Sequence, residues 1–75
     1  MNKQRRKQIL DITEQLRKLW DRLADVMTEE NDALERLMEY FPESEKAEDI
    51  SEKVDAMQEA LDNLKDVFNT LEELL

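Results

Sequence analysis

The sequence predicts an all-α protein: a two-helix antiparallel coiled-coil hairpin that dimerises into a four-helix bundle. Three observations lead there. The 75 residues contain no glycine and one proline, Pro42. Apolar residues recur at alternating three- and four-residue spacing on both sides of that proline. The apolar face of each half is wider than the two-column seam that a two-stranded coiled coil requires, as expected of helices in larger bundles. The chain reads as a single domain, residues 1–75, with helix 1 over about 3–40, a turn over about 41–44 and helix 2 over about 45–75.

In helix 1, Ile9, Ile12, Leu16, Leu19, Leu23, Val26, Ala33, Leu37 and Tyr40 follow the three–four rhythm, broken once at Glu30. With Ile9 placed at heptad position a, these residues fill the a and d columns. Trp20, Met27, Leu34 and Phe41 repeat every seven residues on the neighbouring e column. The a/d stripe is the expected hairpin seam, which makes Ile12, Leu16, Leu19, Leu23 and Val26 expected core. The e column is then the expected outer interface.

Pro42 restrains Phe41 toward extended geometry and so stops helix 1 near Tyr40. Two turns are compatible with this. Either Ser44 caps helix 2, with Glu45, Glu48 and Asp49 near the positive end of the helix dipole, or Pro42 itself opens helix 2 at its first position.

In helix 2, Ala47, Val54, Leu61, Phe68 and Leu75 fall on a, Ile50, Met57, Leu64 and Leu71 on d, and Ala60, Val67 and Leu74 on g. Leu61, Leu64 and Phe68 are expected core, and the g column is expected to join the e column of helix 1 in a homodimer interface. Folding at the turn brings Leu37 near Ile50, Leu23 near Leu64 and Ile12 near Leu75. So short a chain buries little surface by itself, which also favours self-association.

Charge supports the antiparallel arrangement. Residues 1–22 carry seven bases and three acids, whereas residues 23–75 carry four bases and 17 acids. Each cluster lies at the end of its own helix that the dipole disfavours, and an antiparallel neighbour of opposite sign offsets this. The acidic bulk opposes direct nucleic-acid binding through repulsion from phosphates. The run Lys3, Arg5, Arg6 and Lys7 is a weak polyanion patch, otherwise a solvated helix end.

Without cysteine or histidine there is no disulfide, no thiolate or imidazole nucleophile and no usual transition-metal ligand. The carboxylates fall mainly on water-facing positions, lacking the burial that separates the pKa values of a catalytic pair. No enzyme activity, catalytic residue, cofactor or metal site is therefore expected. Glu30 has three readings: a carboxylate leaving the seam for water, a polar layer with Gln58 that sets register, or a cation ligand. No stretch approaches the roughly 18 apolar residues of a membrane span. The basic start lacks the apolar core of a secretory signal, so a cytoplasmic location is expected.

Three segments carry a resemblance: Lys3–Ile9 (KQRRKQI), the acid-rich LADVMTEENDALERL that follows, and Pro42-Glu43-Ser44 leading into SEKVDAMQEALDNLKDVFNTLEEL. They resemble small acidic helical-hairpin proteins of bacteriophages and phage-like elements. The resemblance implies a mobile-element origin and a role in an infected or lysogenic cell; a host or phage protein is the partner expected of an interaction module there. The residues themselves point to a non-enzymatic interaction module or small regulator acting through helical surfaces. Within that reading Trp20, flanked by Arg17 and Arg22, packs in the dimer or anchors another protein. The alternatives are an acidic nucleic-acid mimic that inhibits a DNA- or RNA-binding protein, and a purely structural helical component.

Overall fold

The computed structural model describes residues 1–75 as two antiparallel helices, α1 over Lys3–Tyr40 and α2 over Glu45–Glu72, with no strand. At 1.5 Å per residue, the 38 residues of α1 account for the full 57 Å length of the molecule. The hairpin is only 14 Å by 12 Å in cross-section between Cα extremes, so it has a seam and no enclosed interior.

Each helix starts on a side-chain cap. The Asn2 side chain accepts from the Arg5 backbone N–H at 2.8 Å, and Ser44 Oγ accepts from the Ala47 N–H at 3.1 Å. Ser44 is thus the cap of α2, with Glu45 and Glu48 in the first turn. Between the helices, Phe41 leaves helical geometry at φ −140° and ψ 65°, as the residue before a proline must, while its N–H still closes on the Leu37 carbonyl at 2.7 Å. Helix α2 ends at Glu72, short of the expected residue 75. Its last turn holds no basic side chain to meet the free carbonyls. The backbone instead tightens, with Leu74 N–H on Leu71 O and Leu75 N–H on Glu72 O.

The seam of α2 is the expected a/d stripe. Ala47, Leu61 and Phe68 are buried, and Ile50, Val54, Met57, Leu64 and Leu71 are half-buried beside them. The seam of α1 differs from expectation. Its inward residues are Ile9, Thr13, Leu16, Trp20, Leu23, Met27, Leu34 and Leu37, the a and e columns. Trp20, Met27 and Leu34 belong to the hairpin's own core and not to an outer interface. Ile12, Leu19 and Val26, expected at the centre of the core, are each about half exposed at 48%, 49% and 48%.

Side-chain size and polar pairing account for this roll of α1. The e column offers Trp20, Met27 and Leu34, where the d column offers Leu19, Val26 and Ala33, so facing e inward buries more apolar area. The indole N–H of Trp20 donates to the Leu61 carbonyl at 2.9 Å, which only the e-inward orientation permits. The roll also brings Arg17, on the b column, beside α2. Its guanidinium lies 4.7 Å from the Phe68 ring centroid and forms an ion pair with Glu72.

Candidate functional site

The most distinctive surface follows from that roll. In antiparallel helices whose seams are a/e and a/d, the d column of the first and the g column of the second turn to the same side. A shallow depression near the turn reports this directly, since its lining combines Ala33 and Tyr40 of the d column with Lys46 of the g column. Along the rest of that side run Ile12, Leu19 and Val26 from α1 and Ala60, Val67 and Leu74 from α2. Val67 and Leu74 are each 48% exposed and Tyr40 is 72% exposed. That side of the hairpin therefore carries an apolar column about 42 Å long on α1, from Ile12 to Tyr40, flanked on α2 by Ala60, Val67 and Leu74 and, toward the turn, by Lys46 and Lys53. Singly scattered exposed apolar residues are ordinary on a surface, whereas these fall on two neighbouring columns of one side.

The opposite side has another character. Its central depression is lined by Arg17, Trp20, Asp21, Lys65, Phe68 and Asn69. The exposed apolar residues there, Leu10 and Met38, stand far apart, separated along their column by Arg17, Ala24 and Asn31. This side is polar and already partly occupied by the Arg17 contacts.

The sequence-derived candidates divide accordingly. Of the expected interface residues, Ala60, Val67, Leu74 and Phe41 are exposed, while Trp20 and Met27 are half-buried and Leu34 is buried within the chain. Thr13 is 2% exposed, with its hydroxyl satisfied by the Ile9 carbonyl at 2.8 Å. Its place on the e column with Trp20 was the signal for that position.

Glu30 and Gln58 form no polar layer. Gln58 is exposed and donates to Asp62 of its own helix at 3.0 Å, and Glu30 is half-buried at the seam's edge. Glu30 lies close enough to Lys53 to act on it electrostatically. Lys53 is held above its usual pKa of 10.5, chiefly by its hydrogen bond to Asp49, then by that carboxylate's charge, and least by Glu30. No group of three or more acidic side chains converges as metal ligands do. Lys3, Arg5, Arg6 and Lys7 are exposed on the opening turns of α1, where no acid accompanies them in the first turn.

The acids of α2 form an outward stripe. Glu45, Glu52, Glu59, Asp66 and Glu73 fill its f column, with Glu48, Asp55 and Asp62 on the adjacent b column, and all eight are exposed. Lys46 and Lys53 stand on g and Lys65 on e, outside both columns. No helix is long and apolar enough to cross a membrane. No protein-family model, curated protein or solved structure matches the chain.

Proposed function

We propose that the chain is a non-enzymatic protein–protein interaction module, a small adaptor or regulator that self-associates and works by presenting helical surface. The observation that carries this reading is the apolar strip built from Ile12, Leu19, Val26, Val67 and Leu74, each about half exposed on one side of the hairpin. Burying such a strip is favourable by roughly 25 cal/mol per Å² of apolar area, and a hairpin this thin has no interior in which to hide it. On the resemblance to phage-element proteins, the partner is a host or phage protein met inside the infected cell.

The test is capture of partners at rising salt. Binding through the strip persists as salt increases and is lost in Leu19→Glu, because apolar contact is not screened. If no protein is retained in a Leu19-dependent, salt-resistant manner and the chain does not associate with itself, this reading is wrong.

A second reading has its own support. The f and b acids of α2 make a rigid row of negative charge that no lysine interrupts, as an inhibitor imitating a nucleic-acid backbone requires. Such a mimic captures nucleic-acid-binding proteins, releases them as salt rises, and is indifferent to Leu19→Glu.

A further inference from the structure

Every directional contact across the seam starts from one turn of α1. Trp20 donates to the Leu61 carbonyl, while Arg17 stacks on the Phe68 ring and pairs with Glu72. Elsewhere each helix keeps its side-chain hydrogen bonds to itself. What remains between the helices is apolar packing, which has no fixed direction.

Away from its middle, α1 has no preference between its d and e columns. Toward the open end the e column buries Thr13 while Ile12, on d, stays half exposed. At the turn Phe41 and Tyr40, one from each column, are both exposed. Only at Trp20, Met27 and Leu34 does e offer the larger side chain. Every d residue from Ile12 to Tyr40 is apolar or aromatic, so facing that column inward buries no charge. Successive residues stand about 100° apart, which places d and e on either side of a. Trading one seam for the other is therefore a roll of about 50°, with the a column still inside.

We propose that Arg17 and Trp20 latch α1 in one of two registers, and that α1 released from them rolls to pack its d column against α2. The roll takes Ile12, Leu19 and Val26 off the surface. It brings Trp20, Met27 and Leu34 out on the opposite side, that of Lys65 and Asn69. The apolar strip therefore exists only while the latch is closed. A partner that takes the strip stabilises the latched register, and closing the latch strengthens that partner's binding by the same factor. This consequence rests on the reading of the strip as the binding surface, whereas the roll is a property of the isolated chain.

Because the chain has no cysteine, single introduced thiols report the register. In the full chain without a partner, Val26→Cys on the d column is expected to be alkylated rapidly and Met27→Cys on the e column slowly. Trp20→Ala is expected to reverse that order at unchanged helix content. Adding Leu19→Glu, whose charge is excluded from the seam, is expected to restore it. An order that Trp20→Ala leaves unchanged overturns the proposal. So does rapid alkylation of both thiols with helix content retained, which is a loosened α1 and not a rolled one.

If Trp20→Ala loses its helices, Arg17→Ala combined with Trp20→Phe takes its place, keeping the bulk of the ring and deleting the directional contacts. The Met27→Cys thiol is then expected to react about fivefold faster, the shift that one net hydrogen bond makes in an equilibrium. Leu19→Glu is expected to cancel that gain. A rate that does not rise, or that rises equally with Leu19→Glu present, overturns the proposal. Either result leaves the interaction-module reading standing, whereas loss of all salt-resistant, Leu19-dependent binding removes that reading and leaves the roll.

Discussion

Trp20 donates its indole N–H to the Leu61 carbonyl across the seam at 2.9 Å, tying the single tryptophan of α1 to a fully buried residue of α2. That carbonyl belongs to the helix interior, so the bond specifies both which side of α1 faces inward and how far α1 slides along α2. Replacing Trp20 with Phe keeps most of the apolar area and deletes the donor. The expected loss is about 1 kcal/mol, the net worth of one intramolecular hydrogen bond, read as a lower urea midpoint at unchanged helix content. Trp20→Glu places a charge in the seam and is expected to break it, whereas Leu19→Glu is expected to leave the hairpin's own fold intact.

Leu61 and Leu74 are both leucines of α2, but they are 1% and 48% exposed. Leu61→Ala is expected to cost about 2–5 kcal/mol through lost burial and the cavity left behind. Leu74→Ala, measured dilute enough to prevent association, is expected to stay within about 0.5 kcal/mol. Equal costs in denaturant titrations of the two variants would contradict the seam described above.

Ser44→Ala removes the side-chain acceptor for the Ala47 N–H, and Ala47 is itself buried in the first turn of α2. The expected cost is about 1 kcal/mol, and Ser44→Asp is expected to retain most of the stability because Asp caps about as well. Thermal melts of the two variants separate these outcomes. A result in which both fall equally would assign the loss to something other than capping.

The Arg17–Glu72 ion pair is exposed, at 49% and 42% of the two side chains, so screening by water limits it. Glu72→Gln is expected to change stability by less than about 1 kcal/mol, the usual range for surface pairs, with the difference fading as salt rises. Arg17→Ala is expected to cost more than Glu72→Gln, because it also removes the guanidinium stacked on Phe68. A double-mutant cycle between Arg17 and Phe68 measures that second part directly.

Much of this organisation was open to local reasoning. The absence of glycine and the lone Pro42 restrict chain reversal to one place, and a serine two residues after the proline supplies the cap that the next helix needs. Heptad spacing in α2 identified its seam because only two of its three columns are apolar throughout; the g column begins with Lys46 and Lys53. In α1 the same reasoning reached the wrong column. Its d and e columns are both apolar around a shared a column, and spacing alone does not rank them. Thr13 is polar, but its hydroxyl is satisfied within its own helix, so the e column accepts it inside the seam.

By itself, then, the sequence determined two long helices, the place of the turn, an antiparallel pairing and an apolar surplus beyond one seam, because helix propensity, proline geometry and periodicity act over short stretches of chain. Only the tertiary structure decided which surplus column lies inside and which lies outside. That choice depends on the Trp20 N–H meeting the Leu61 carbonyl and on Arg17 reaching Phe68 and Glu72, contacts between residues more than 40 positions apart. The exposed strip of Ile12, Leu19 and Val26 is a consequence of those long-range contacts, which is why the surface proposed to bind is the part of the molecule that periodicity could not assign.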